Sequence, residues 1–217
     1  MNTLNLNTAN VPTIERFTDY PVLKSIGPLN PYYLDRILTV INRALAEHPR
    51  TLAIRFDLHL PFGYGDVGSD LMTKFVESLK AQVKADLYRR AAQGKRVHDC
   101  NMRHIWVRER CDSDSPHFHV VVFLNHDTYH TLGAYADEQR RNMASRIRKA
   151  WASALRRLPE AILGLVHFPT NPTYSLNANA HDFMAIKADL LRRLSYFAKL
   201  KTKEYGTGSR SFGCSQK

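Results

Sequence analysis

The chain has few of the features that would place it outside the cell or in a membrane. Its 217 residues include only three cysteines, which are widely spaced and form no CxxC pair. An odd, scattered set speaks against a disulfide framework and indicates a reducing compartment. No apolar run is long enough to span a bilayer, and the polar stretch 1–10 is unlike a signal peptide. We therefore expect a cytoplasmic protein without a membrane partner.

Acidic residues are also scarce relative to basic ones. Lys and Arg number 31 against 20 Asp and Glu, which gives a formal net charge of +11. This balance favours a polyanionic partner such as nucleic acid. The length suits one well-buried core and is too short for two comparable domains. We divide the chain into an N-terminal arm and helix over 1–50 and a main domain over 51–217.

Hydrophobic periodicity predicts a mixed α+β fold. The predicted helices cover 31–48, 70–93, 137–158 and 182–203. The predicted strands cover 51–60, 102–110, 117–124 and 163–168, with a polar loop over 169–180. Together these elements predict a central antiparallel sheet flanked by helices, in which the second and third strands form a hairpin.

The most informative stretch is the strand that begins at His117. Side chains alternate across a strand, so His117 and His119 share one face, while Phe118 points to the other and can anchor a core. Two neighbouring imidazoles can bind one metal ion. The alternative is that both histidines are ordinary polar residues of a half-exposed strand.

Two histidines need an oxygen ligand to complete a catalytic metal site. Glu109 is the first choice, because the predicted hairpin brings it close to both histidines. Asp57 and His59 are second choices, since they share the polar face of the strand 51–60. Such a set can hold Mn²⁺ or Mg²⁺ with open positions for a phosphate oxygen, and it would also accept Zn²⁺.

A second group of reactive side chains lies in the predicted last helix. Tyr196 and Lys199 are three residues apart, so they share one helix face. A phenol has a pKa of about 10 and is a poor nucleophile at neutral pH, but neighbouring cations favour its phenolate form. Attack of Tyr196 on a phosphate would give a phosphotyrosyl link. Simple packing of the tyrosine in the helix is the alternative.

Basic side chains of the predicted helices 137–158 and 182–203, and of the tail that follows them, are candidates for phosphate contacts. Such contacts would position a single strand or a hairpin of DNA without reading its sequence. The candidates are Arg140, Arg141, Arg148, Lys149, Arg192, Lys203 and Arg210.

Taken in order along the chain, these motifs resemble a known family. The chain is similar to the HUH superfamily of rolling-circle replication initiators and relaxases. It resembles more closely the inovirus-type (filamentous phage gene II-like) replication proteins, also called the YagK/YfjJ C-terminal-domain family. The resemblance runs from about Thr51 to the C-terminus. It rests on Arg108-Glu109-Arg110, His117-Phe118-His119 with Leu124-Asn125, Ala150-Trp151, Ser195-Tyr196-Phe197-Ala198-Lys199 with Thr202-Lys203, and Arg210-Ser211-Phe212-Gly213-Cys214-Ser215.

The resemblance implies a nickase built on an HUH/Rep-type, RRM-like sheet. It implies Glu109, His117 and His119 as ligands of Mn²⁺ or Mg²⁺, Tyr196 as nucleophile and Lys199 as its cationic helper. Attack on single-stranded or hairpin origin DNA would leave a 5′-phosphotyrosyl adduct and a free 3′-OH. Such an enzyme would serve a filamentous phage, a prophage or a related mobile element, with a host helicase or polymerase as a further candidate partner.

The chain departs from the family at two points, and two other functions stay open. The motif Arg55–Pro61 is not the Thr-rich form of many initiators. One tyrosine at the helix position means that termination needs a second subunit or another nucleophile. The first alternative function is a non-catalytic DNA-binding regulator with the same fold. The second is a zinc-dependent phosphoesterase that acts on a small nucleotide.

Overall fold

Helices and an antiparallel sheet make up the fold, as seen in a computed structural model that describes residues 15–65, 68–110, 116–134, 141–201, 203 and 209–216. In chain order the described helices and strands are α1 (Pro31–Glu47), β1 (Arg50–His59), α2 (Asp70–Ala92), β2 (Arg103–Glu109), β3 (His117–Asn125), α3 (Met143–Ala154), β4 (Val166–His167), β5 (Thr173–Asn177), α4 (Phe183–Leu194) and β6 (Phe212–Cys214). Short 3₁₀ helices cover Phe17–Asp19, Lys24–Ile26, Pro159–Ile162 and Ser195–Ala198.

The described strands form one open sheet in the order β4-β1-β3-β2-β6, and β5 also pairs with β1. Every pairing is antiparallel. Strands β2 and β3 form the predicted hairpin, and β1 pairs with β3 along its whole length. The expected α+β class with a central antiparallel sheet is therefore confirmed.

Alternation along the strands gives the sheet two different faces. Even-numbered residues of the central strands, such as Phe56 and Phe118, pack with α2 and α3. Odd-numbered apolar residues, such as Val121 and Phe123, pack with α1 and α4 on the opposite face. This second face, which we call the site face, becomes polar toward one end of the sheet, where Arg55 and His119 lie.

Helix α1 belongs to the same packed unit as the sheet. Asn30 caps its first turn. The Asn30 side chain accepts hydrogen bonds from the backbone N–H groups of Tyr32 and Tyr33. Ile37 and Ile41 are fully buried in the site-face core together with Val121. The helix expected within the N-terminal unit 1–50 thus shares the core of the main domain. Residues 1–14 of the expected arm lie outside the described residues.

Two helices, α3 and α4, are shorter than the sequence predicts. The helix expected over 137–158 begins at Met143, because Asn142 and Ser145 form a reciprocal capping box. It ends at Ala154, before Arg156 enters the left-handed region with a φ of 53°. The expected residues 137–140 lie outside the described part of the chain.

The helix expected over 182–203 stops at Leu194 and continues as the 3₁₀ helix Ser195–Ala198. The Ser195 hydroxyl donates a hydrogen bond to the Arg192 carbonyl at 2.6 Å. Lys199 is already extended, with φ −56° and ψ 131°. Apolar residues stay buried through this change, so their spacing did not reveal the end of the helix.

The sequence also misplaced the short strands at the sheet edges. The strand predicted over 163–168 contains only Val166–His167, because Gly164 turns the chain with a φ of 78°. The predicted loop 169–180 contains β5, whose Leu176 is buried against the sheet. Strand β6 was not predicted. None of the described helices has the length and apolarity needed to cross a membrane.

Candidate active site

Strand pairing gathers the predicted metal ligands at the polar end of the site face. Residues directly opposite each other in an antiparallel pair project to the same face. His117 lies opposite Glu109 on one side and opposite His59 on the other. His119 lies opposite Asp57 in the same way. The hairpin register therefore brings the first-choice carboxylate beside the histidine pair.

Three of these side chains present ligand atoms to one point. The Nε2 atoms of His117 and His119 are 3.2 Å apart, and His119 Nε2 is 3.5 Å from Glu109 Oε2. One ligand atom from each of the three residues lies within 4.8 Å of the other two. Two nitrogens bound to one ion at about 2.1 Å lie roughly 3.0 to 3.4 Å apart for octahedral or tetrahedral angles. The spacing fits a shared cation.

His119 is oriented by groups on its other side. Its Nδ1 makes a short hydrogen bond to Asp57 Oδ1, and Arg55 donates a short hydrogen bond to the same oxygen. Arg55 Nη2 also lies 2.9 Å from Nδ1. These contacts engage Nδ1, so Nε2 is the ring nitrogen that faces His117 and Glu109. Burial would raise the pKa of Asp57, but its hydrogen bond with His119 and the charge of Arg55 hold that pKa well below its ordinary value. Asp57, a second-choice ligand, therefore acts as the residue that positions His119.

The other second-choice ligand, His59, also lies outside the three-residue cluster. Its ring stacks on the His117 ring with centroids 5.6 Å apart. Burial lowers the pKa of His59 below its ordinary value, so the ring stays neutral near pH 7. His59 thus supports the His117 ring and limits the ways it can turn.

Glu109 is a buried carboxylate surrounded by cations. Its side chain is 0 % exposed, and Lys203 Nζ lies 3.0 Å from Oε1. Lys199 Nζ lies 3.5 Å from Oε2. Burial alone would raise the pKa of Glu109, but the close contact with His119 and the charge of Lys203 outweigh it and hold that pKa well below its ordinary range. Glu109 is therefore ionised and available as an anionic ligand.

A divalent cation fits this donor set. Glu109 Oε2 is buried and accepts no hydrogen bond from a described residue, and His119 Nε2 faces it at 3.5 Å. Burial and the neighbouring His119 lower the pKa of His117 to about 4, so this imidazole is neutral and can also donate a lone pair. A proton shared between the two imidazoles would leave Oε2 without a hydrogen bond, whereas one cation would bind all three groups.

Tyr196 lies beside the metal cluster. Its ring meets the His119 ring edge to face, with centroids 5.2 Å apart and an interplanar angle of 78°. Lys199 Nζ donates a hydrogen bond to the Tyr196 hydroxyl at 3.0 Å. Tyr196 is half-buried. The 3₁₀ turn brings together the two side chains that the sequence placed on one α-helical face.

The basic residues predicted to contact DNA lie on both sides of the sheet. Arg141, Arg148 and Lys149 flank or belong to α3, on the face opposite Tyr196. Arg192 and Arg210 are exposed, and Arg140 lies outside the described residues. Lys203 differs from the expectation, because its side chain is 0 % exposed and pairs with Glu109. It neutralises the site and does not present its charge at the surface.

Sequence reasoning missed one polar residue near the site. His167 lies opposite Asp57 in β4, and its Nδ1 is 3.4 Å from Asp57 Oδ2. The histidine was counted only as part of a short strand. A polar side chain in an otherwise apolar stretch was the available signal, but its strand partner could not be read from the sequence.

Two histidines should make the metal-free protein sensitive to mild acid. Burial lowers the pKa values of His117 and His104 to about 4 from 6.5. The unfolded chain therefore binds protons between these values and the folded chain does not, so stability is lost as the pH falls from 6.5 toward 4. The expected loss approaches about 1.4 kcal/mol per pH unit for each histidine.

Urea unfolding in the presence of a chelator measures this loss. His104 lies outside the cluster, and its Nδ1 is 3.0 Å from the Ser215 hydroxyl. The variant His104→Asn should show a clearly smaller pH dependence than the wild type. An identical slope for the two proteins would contradict the prediction for His104, and a flat wild-type profile would contradict it for both residues.

Comparison with known proteins places these residues in a wider group. The family model described as the YagK/YfjJ C-terminal domain matches residues 13–215. Uncharacterized protein YagK of Escherichia coli strain K12 is 36% identical over 193 residues, which cover 85% of this chain and 92% of that protein. Uncharacterized protein YfjJ of the same strain is 35% identical over 196 residues, which cover 85% and 93%. No solved structure is significantly similar to the chain.

Proposed function

We propose that this chain, which belongs to the YagK/YfjJ C-terminal domain family, is a metal-dependent enzyme that nicks and rejoins single-stranded DNA. The proposal extends to rolling-circle initiation by an inovirus-type protein of the HUH superfamily, in a filamentous phage, prophage or related element. One observation carries it. Tyr196, hydrogen-bonded to Lys199 at 3.0 Å, packs its ring on His119 of the Glu109, His117 and His119 cluster.

Glu109, His117 and His119 would hold Mn²⁺ or Mg²⁺. When bound, the ion would withdraw charge from a non-bridging oxygen of the scissile phosphate. Asp57 and Arg55 engage Nδ1 of His119 and thereby direct Nε2 at this position. Arg55, which is itself buried, keeps Asp57 ionised for that task.

The proposed chemistry is a transesterification at phosphorus. The Tyr196 oxygen forms a bond to phosphorus, and the bond from phosphorus to the 3′ oxygen breaks. The phenol proton passes to solvent, and the leaving 3′ oxygen takes up a proton to become a free 3′-OH. In the joining step a 3′-OH attacks the phosphotyrosine, and the Tyr196 oxygen leaves. Each step exchanges one phosphodiester bond for another, so no nucleotide cofactor is needed.

Lys199 contributes charge to this reaction. Burial would lower the pKa of Lys199, but the hydrogen bond to Tyr196 and the charge of Glu109 raise it above its ordinary value. A group that keeps its proton cannot serve as a general base near pH 7. Lys199 instead stabilises the negative charge on the attacking oxygen and on the phosphate as the reaction proceeds.

The test uses randomised single-stranded DNA labelled at its 3′ end, incubated with the protein and Mn²⁺. A 5′-phosphotyrosyl adduct carries this label into the protein band of a denaturing gel, whereas a 5′ label stays free. A chelator should abolish the adduct. Release of a soluble product without an adduct would favour the phosphoesterase, and salt-sensitive binding without cleavage would favour the regulator. Either result would contradict the proposal.

A further inference from the structure

A pocket of about 380 Å³ lies between the first turn of α1 and strand β6. Aromatic and basic side chains line it together, among them Tyr32, Tyr33, Arg36, Arg210 and Phe212. Of these aromatic residues, Phe212 was named from the sequence only as part of a family motif, and neither tyrosine was named. Aromatic rings with interspersed cations are the combination that single-stranded nucleic acid binds.

The aromatic residues of this pocket form a platform. The rings of Tyr33 and Phe212 are stacked, with centroids 4.4 Å apart and an interplanar angle of 10°. The Tyr32 ring lies beside them, 6.1 Å from the Tyr33 ring and tilted by 56°. Tyr32 is 64% exposed. A large exposed aromatic ring beside a stacked pair offers a surface on which another flat ring can pack.

The charges around the platform suit a phosphate. Arg36 donates hydrogen bonds to Gln216 Oε1 at 3.1 Å and to Cys214 Sγ at 3.5 Å, both of which are neutral groups. Arg210 is exposed at the rim of the pocket. Within the described parts of the chain, no carboxylate pairs with either arginine. Both guanidinium groups therefore retain charge that a phosphate diester can neutralise.

The pocket opens on the same face of the sheet as the candidate active site. Val107 lies opposite His119 in β3 and opposite Phe212 in β6, so Phe212 and His119 are two strands apart, or about 10 Å. The start of α1 is also tied to the tyrosine segment. Asn30 N–H donates to the Ala198 carbonyl at 2.7 Å, and Leu29 forms a β-bridge with Lys199. A single strand of DNA bound at Tyr196 can thus reach the platform.

We propose that this pocket binds one base and the adjoining phosphate of single-stranded DNA near the scissile position. The inference rests on the proposed function for the identity of the strand, but binding can be measured without cleavage. A base stacks on the exposed Tyr32 ring beside the Tyr33–Phe212 stack, while Arg36 and Arg210 contact the phosphate. Stacking accepts any base, so this pocket contributes affinity and strand position rather than origin sequence.

The test measures the affinity of a fluorescent single-stranded oligonucleotide for the protein in the presence of a chelator, where no covalent step interferes. Tyr32→Ala should weaken binding roughly 5- to 100-fold, and Tyr32→Phe should leave it nearly unchanged, because the phenyl ring still stacks. Tyr88→Ala is the matched control, since Tyr88 is 79% exposed on α2, which packs on the opposite face. It should bind like the wild type.

An abasic oligonucleotide separates stacking from charge. Tyr32→Ala should bind it as well as the wild type does, whereas Arg210→Gln should weaken both oligonucleotides and reduce the salt dependence. If Tyr32→Ala and the wild type bind the normal oligonucleotide equally well, the proposed role of the pocket is wrong, even if the covalent adduct forms. A deoxynucleoside monophosphate that binds as tightly as the oligonucleotide would overturn the assignment to a strand. Weakened binding without any adduct would retain the pocket and overturn the nicking activity.

Discussion

Replacing Tyr196 with phenylalanine is expected to abolish the covalent DNA adduct while the protein stays folded and keeps its affinity for Mn²⁺. The ring that packs on His119 is retained, and only the hydroxyl that accepts the hydrogen bond from Lys199 is lost. Removal of a covalent nucleophile lowers the rate by on the order of 10⁴-fold or more. Loss of one half-buried hydrogen bond costs about 1 kcal/mol of folding stability. Gel analysis and thermal unfolding measure the two effects.

Tyr174→Phe is the matched control. The Tyr174 hydroxyl accepts a hydrogen bond from Arg193 at 3.3 Å, so this residue is also a phenol paired with a cation on the site face. It lies in β5, away from the metal cluster. The control should form adduct at the wild-type rate. Persistence of the same adduct in Tyr196→Phe would show that another residue is the nucleophile.

The second large effect is expected at the buried pair of Glu109 and Lys203. Glu109→Gln leaves Lys203 and Lys199 without their carboxylate, and removal of one partner of a buried pair costs about 3–5 kcal/mol. The same change removes the anionic ligand. Loss of a partner outside the ligand shell already costs 10- to 100-fold in metal affinity, so we expect a loss of at least about 100-fold here.

A double-mutant cycle separates these two roles of Glu109. Lys203→Met should also destabilise the protein, and the double variant Glu109→Gln with Lys203→Met should regain most of the stability, since neither charge is then left alone. Mn²⁺ should stabilise the wild type and Lys203→Met against unfolding. It should not stabilise either of the two variants that lack Glu109. Equal stabilisation of Glu109→Gln by Mn²⁺ would exclude Glu109 as a ligand.

The part of the site that comes from strand alternation could be predicted. The period of two in β1 and β3 places Asp57 and His119 on one face, and the hairpin places Glu109 opposite His117. These inferences need only the alternation of side chains along each strand and the antiparallel pairing of the strands. The hairpin pairing follows from the order of the chain, because β2 and β3 are consecutive, whereas the pairing of β1 with β3 joins strands that are not consecutive.

The parts that depend on packing between distant segments could not be predicted. Asp57 contacts His119 through the Nδ1 atom, so it orients the ring, but the sequence alone could not tell this from direct metal binding. Lys203 enters the site because the chain leaves the helical path after Leu194. The Tyr33–Phe212 stack joins residues from opposite ends of the chain. Nothing in their local patterns indicates that they meet.

The most direct measurement of the central claim is mass spectrometry of the adduct after digestion with nuclease and protease. The account predicts a nucleotide joined through its 5′ phosphate to the Tyr196 oxygen, formed with Mn²⁺ and absent with chelator. A nucleotide on Ser195, on Tyr174 or on any other residue would contradict the account, and so would an adduct that forms equally well without metal.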